Sequence, residues 1–235
     1  MSASFSAENH IKGFVLNDAA SSLLILTQVR RDYLKEALSS FHTLLKNGKK
    51  PSQLATIRLV QAFAQKGDEE SIREIEKLTE PIHGILKLPR MLFINNTALA
   101  RVKNNNYDAA TEYIEEKFIS RELAEDANLS FVFRKLIEDK EETALEKVSA
   151  MLERLANQFG IYKPVTHLFL QYIEQEKVKD AELLLQRNKA ISEQRSYIIA
   201  FIIQKSRIKG QSKKIRILRD LIPDFKDQGH LLHYL

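Results

Sequence analysis

The chain has 235 residues, 44% hydrophobic and 29% charged, with a formal net charge of +5 and an isoelectric point near 9.2. That apolar content suffices for a packed interior, and the mild basic excess permits a polyanionic partner without demanding one. The absence of cysteine excludes disulfides and thiol chemistry, and no apolar run reaches the roughly 18 residues of a membrane span.

Residues 1–17 form a polar leading segment. Its first part, MSASFSAENHIKG, has no apolar stretch of the kind a secretory signal carries, and Glu8 with a lack of arginine makes it a poor mitochondrial presequence. Residues 18–52 read as two amphipathic helices, the first holding Leu23, Leu24, Leu26 and Val29 and the second Leu34, Ala37, Leu38, Phe41, Leu44 and Leu45. Asn47-Gly48 ends the second helix as a C-cap does. From Gln53 a second pair follows with Gly67 in its turn, and residues 80–89 form a longer connection expected to loosen the stack. A third pair starts near Met91, turns at Asn104-Asn105-Asn106, and has its second helix over 107–118.

The fourth pair has an unusually long second helix over 144–157, with Leu145, Val148, Leu152 and Leu155 as its stripe, before Gly160 and Pro164 interrupt the pattern. Val165 to Glu174 resumes it with Leu168, Phe169, Tyr172 and Ile173; after a polar turn comes a helix with Ala181, Leu184 and Leu185. The sixth pair has the apolar first helix SYIIAFII and the basic second helix SKKIRILRDLI. The closing HLLHYL begins apolar and has no polar cap, so the array is expected to run beyond the chain, which reads as a fragment.

A helical hairpin cannot bury its apolar faces alone and needs copies as neighbours. The small or aliphatic residue near the start of each second helix marks the period: Ala37, Ile72, Ala110, Ala144, Ala181 and Ile215, at intervals of 34 to 38 residues. A bulky side chain there would push two helices apart, at a cost of roughly 1–3 kcal/mol. The expected fold is therefore all-α, a right-handed α-solenoid of about six helix–turn–helix units, 18–52, 53–90, 91–125, 126–164, 165–194 and 195–225, with 226–235 beginning a further, truncated element. Pro51, Pro81, Pro89, Pro164 and Pro223 all fall after a second helix or between hairpins.

Tetratricopeptide repeats share the period but need residues in the first helix that these units do not keep. Lys50-Pro51-Ser52 and Lys163-Pro164 resemble the Lys-Pro-Asp-like turn that ends a pentatricopeptide repeat (PPR), and LFINNT at 92–97 resembles that repeat's opening. The stretch MLERLANQFGIYKPVTHLFLQ, with AELLLQRNKAISEQ after it, resembles the C-terminal region of a leucine-rich mitochondrial member of the PPR family. The resemblance, over about 18–225, implies an RNA-binding protein that stabilises mitochondrial messenger RNAs and supports their polyadenylation and translation, with single-stranded RNA and a small RNA-recognition-motif (RRM) protein as partners. It implies the mitochondrial matrix as location, with the nucleus as alternative. Outside that implication stand membranes and small-molecule substrates. The other function consistent with the chain is a protein-interaction scaffold whose RNA is bound by repeats elsewhere.

In this family a polar residue early in the first helix, with another at the repeat's end, reads one base. Counting fifteen residues back from each marker gives Ser22, Ile57, Asn95, Leu129, Thr166 and Ala200, with Ser130 in place of Leu129 if the fourth unit is offset by one. Asn95 fits best, Ser22 and Thr166 are acceptable, and Ile57 and Ala200 cannot hydrogen-bond a base edge. The code is thus eroded, and backbone contact would rest on Arg58, Arg101, Lys103, Lys213, Lys214 and Arg216. Each of these also reads as an ordinary solvated helix residue.

No catalytic constellation accompanies them. Gly48-Lys49-Lys50 lacks the rest of a phosphate loop, and His230 with His233 lacks a third ligand. Glu115-Glu116 and Glu141-Glu142 are adjacent and face different directions on a helix. No enzyme, metal or cofactor is expected, and His42 and His167 read as partly buried helix residues.

Overall fold

In the computed structural model, residues 17–120, 127–208, 210 and 212–222 are described. Among them lie twelve α-helices of nine residues or more and no strand. The chain divides into two compact units, Met1–Asn106 and Tyr107–Leu235.

The first unit contains α1 (Asp18–Arg30), α2 (Leu34–Lys46), α3 (Gln53–Gln65), α4 (Glu69–Thr79) and α5 (Leu92–Lys103). Helix starts are fixed by side-chain caps: Asn17 accepts from Ala20 N at 2.8 Å, Ser52 from Ala55 N at 3.1 Å and Asp68 from Ser71 N at 3.0 Å. Helix α1 packs on α2 and α3, α3 on α4 and α5, and α4 on α5. Ile25, Phe41, Leu59, Val60, Ile72, Ile75 and Leu99 are fully buried among them. The connection at 80–89 does not loosen this stack. It coils into a 3-10 turn, Glu80–Ile82, and a short helix, His83–Leu86, while α5 still packs against both α3 and α4.

The second unit contains α6 (Tyr107–Ile119), α7 (Ser130–Glu138), α8 (Glu142–Phe159), α9 (Lys163–Glu174), α10 (Val178–Arg187), α11 (Arg195–Ser206) and α12 (Ser212–Leu221). Helix α9 is its hub, touching α7, α8, α10, α11 and α12. Pro164 lies inside the first turn of α9, where its missing N–H has no partner to lose, and Gly160 in the left-handed region (φ +67°) ends α8. The buried stripe of α8 is Ala144, Val148, Met151, Leu152, Leu155 and Ala156; Leu145, expected in it, is part-exposed.

Every first-to-second-helix turn contains one left-handed residue: Asp32, Gly67, Asn105, Lys140, Glu176 and Gly210. In the first five, the N–H of the following residue reaches back to the carbonyl five residues earlier, as in Tyr33 N to Gln28 O at 2.9 Å and Lys177 N to Tyr172 O at 2.8 Å. This is the Schellman closure of a helix end. Five residues further on lie Ala37, Ile72, Ala110, Ala181 and Ile215; only in the fourth repeat is the marker, Ala144, four residues on. All six markers are at most 3% exposed, as helix–helix contacts require.

Neighbouring repeats are also tied through polar groups. Lys66 Nζ meets Asp32 Oδ2 at 2.7 Å and Asn104 Nδ2 donates to Gly67 O at 2.8 Å, each joining one turn to the next in the first unit. In the second unit Arg154 pairs with Glu115 at 2.9 Å, and Lys213 pairs with Glu176.

Candidate nucleic-acid interface

The turn residues give a register for comparing first helices that owes nothing to side-chain resemblance. Ten residues before each lies Ser22, Ile57, Asn95, Ser130, Thr166 or Ala200. The fourth unit is therefore offset by one, and Ser130 rather than Leu129 occupies the shared position; Leu129 is fully buried.

Three of the four polar side chains there point into the protein. Ser22 is 4% exposed and its Oγ accepts from Ser52 N at 2.9 Å, so it holds the cap of α3 in place. Thr166 has no exposed surface, and its hydroxyl donates to Tyr162 O at 2.9 Å. Asn95 is 6% exposed. Ser130, the first residue of α7, is half-buried and is the one whose side chain has substantial access to solvent.

The cationic candidates divide by their partners. Arg58 and Arg216 are exposed, Arg58 resting on Gln61 Oε1 at 3.1 Å. Arg101 is half-buried with Nε 3.0 Å from Glu69 Oε2, and Lys103 is half-buried beside it on the last turn of α5. Lys213 remains exposed while paired with Glu176. Lys214 is tucked in, 3.1 Å from Glu174 Oε1, and Lys205 lies 2.6 Å from Oε2 of the same carboxylate. Burial works against the charge of Glu174, yet hydrogen bonds from Lys205 and Lys214 outweigh it and hold the carboxyl below its usual range. These three groups stitch α9, α11 and α12 together.

A second set of groups on the first helices escapes a search for polar or charged residues alone. The Arg134 guanidinium lies 5.7 Å from the Phe131 ring centroid, the Lys163 ammonium 4.8 Å from that of Tyr197, and the Lys205 ammonium 5.4 Å from that of Phe201. His167 meets Tyr197 edge to face, with centroids 5.8 Å apart and planes at 89°. Burial, with Lys163 nearby, pushes the His167 imidazole down to about 4, so at neutral pH it is an uncharged ring. For Arg134 with Phe131 and Lys205 with Phe201 the sequence signal was an aromatic residue three or four positions from a cation on one helix face, whereas Lys163 and Tyr197 meet across two helices and carry no such signal.

No group of three or more metal-binding side chains occurs among the described residues, and His230 with His233 lies outside them. No helix among the described residues is long and apolar enough to cross a membrane.

No family model matches the chain. It is, however, 51% identical over 229 residues, 97% of its length, to the leucine-rich PPR motif-containing protein, mitochondrial, of Xenopus tropicalis. The proteins of that name from Mus musculus and Rattus norvegicus are 50% and 49% identical over 94% and 96% of the chain. The chain spans about 16% of the length of these curated relatives.

Proposed function

Starting from a helical-repeat chain that is related along nearly its whole length to the mitochondrial leucine-rich PPR motif-containing proteins, we propose that it is a non-catalytic segment that binds single-stranded RNA. The observation that carries this reading is the similarity itself, half the residues identical over 97% of the chain, to proteins named for an RNA-reading repeat. The basic balance and the exposed Arg58, Lys213 and Arg216 are compatible with phosphate contact. The relatives are mitochondrial by name, and the mitochondrion is the compartment assigned here. The matrix, the stabilisation of messenger RNAs with support for their polyadenylation and translation, and an RRM-type protein partner belong to the proposal.

Binding of a labelled 12-nucleotide single-stranded RNA, followed by fluorescence anisotropy, tests it. Affinity should fall about tenfold or more between 50 and 200 mM salt, because each neutralised phosphate on a single strand adds roughly 0.7 to the logarithmic slope. Arg58→Gln and Arg216→Gln should each flatten that slope by about one contact. A flat salt response would defeat the proposal.

A second reading is favoured by one specific observation, the burial of Ser22, Asn95 and Thr166. With those side chains turned inward, the chain could serve as a protein-binding scaffold while other repeats of a longer protein hold the RNA.

A further inference from the structure

The second helices of the first two hairpins leave a groove between them. Helix α2 packs chiefly on α1 and α3, and α4 on α3 and α5, so α2 and α4 meet mainly through side chains. One pair spans the gap, His42 Nε2 with Glu74 Oε1 at 2.6 Å. Around it lies an open hollow of about 490 Å³, lined by Lys35, Leu38, His42 and Lys46 of α2, with Ser39 and Thr43 between them, and by Glu74 of α4. In the second unit α6 and α8, likewise the second helices of adjacent hairpins, pack on each other directly. There Lys147 pairs with Asp108 and Arg154 with Glu115 across the two helices. The first unit thus keeps open a line that the second unit closes.

The α2 residues of the groove recur every three or four positions from Lys35 to Lys46, which makes them one face of the helix over three turns. Lys35 and Lys46 stand at its two ends, about 16 Å apart at a rise of 1.5 Å per residue. Both are exposed, and neither meets a carboxylate among the described residues. Between them Leu38 offers part-exposed apolar surface, and Ser39 and Thr43 are short enough to let another backbone approach. Two ammonium groups that far apart cannot converge on one phosphate. A single strand of nucleic acid running from one to the other would carry its phosphates past the Glu74 carboxylate. A helix has the matching geometry: residues eleven apart on one face span the same distance, and those between them meet Leu38.

We propose that this groove docks an amphipathic helix of a protein partner that carries carboxylates three turns apart, one for Lys35 and one for Lys46, with an apolar residue between them against Leu38. The site uses only second helices of the first unit, so it stands or falls apart from the RNA-binding reading above.

The test uses the whole chain and a labelled, lactam-stapled helical peptide of 16 residues, with two glutamates eleven positions apart and leucines between them on the same face. A second peptide of identical composition places its glutamates on opposite faces. In fluorescence anisotropy the first should bind saturably and about tenfold tighter than the second, the size of two exposed ion pairs. Lys35→Gln and Lys46→Gln should each weaken that binding about threefold and together about tenfold, while binding of the 12-nucleotide RNA stays as in the parent. Equal binding of the two peptides, an affinity that the double variant retains, or no saturable binding below about 1 mM overturns the docking site. Loss of RNA affinity in the double variant without any peptide binding would assign the groove to nucleic acid and overturns it as well. The comparison of the two peptides on the unaltered chain decides the matter even if a variant folds poorly.

Discussion

Gly67 is the position where a single methyl group should be felt most sharply. Its φ of +73° is one that L side chains enter at a cost of about 1 kcal/mol. A Cβ built there would lie 2.1 Å from Asn104 Oδ1 and 2.9 Å from its Cγ, so the amide would have to leave. With it goes the bond from Asn104 Nδ2 to Gly67 O, 2.8 Å long and near the surface, worth about 0.5–1 kcal/mol. Gly67→Ala should therefore cost roughly 2 kcal/mol in a urea titration, Asn104→Ala about 0.5–1 kcal/mol, and the double variant about as much as Gly67→Ala alone. Once the amide has been displaced, its removal takes nothing further away. Strictly additive losses, or a Gly67→Ala cost no larger than that of Asn104→Ala, would show that the second hairpin turn is not joined to the third by this contact.

Lys140 occupies the same left-handed turn position without glycine's freedom, and it has no close counterpart to Asn104 among its described contacts. Lys140→Gly should raise stability by about 0.5–1 kcal/mol in the same titration. Ala110→Phe and Ala181→Phe should each cost roughly 1–3 kcal/mol by overpacking a contact that is at most 1% exposed, whereas Glu112→Phe and Glu182→Phe on exposed faces should cost little. Thr111 is no neutral control, because it is 7% exposed and its hydroxyl donates to Asp108 O at 2.9 Å. His167, held down to about 4 in the fold, should weaken the fold as pH drops. The unfolded chain takes up a proton from near pH 6.5 while the folded ring does not, so stability present above 6.5 is lost toward pH 4, on the order of 2–3 kcal/mol. His167→Phe should flatten that fall in thermal melts between pH 7 and 4. Ser22→Ala should lower stability by about 1 kcal/mol through the released Ser52 N–H, while Ser130→Ala leaves melting unchanged.

The helices were legible because their causes are local. A small or aliphatic residue every 34 to 38 positions, Asn or Gly at some of the left-handed turns, and Ser52 or Asp68 ahead of an apolar run are each visible without knowing what lies across the fold. The offset in the fourth repeat was not visible in the same way. The marker stripe of α8 runs from Ala144, but the turn sits at Lys140, and only backbone conformation separates these two registers. Asp32 and Glu176 carry no turn signal as strong as glycine's, yet both adopt the left-handed conformation that the Schellman closure imposes.

The site was less legible for a reason that lies in the stacking itself. Where repeats pile on one another, a polar residue on either helix of a repeat has two calls on its hydrogen bonds, the neighbouring repeat and a ligand. Ser22 answers the first by accepting from Ser52, thirty residues on, and Lys213 does so by pairing with Glu176, thirty-seven residues back. Such partners are set by which faces meet, a property of the packed array that no spacing within one repeat encodes.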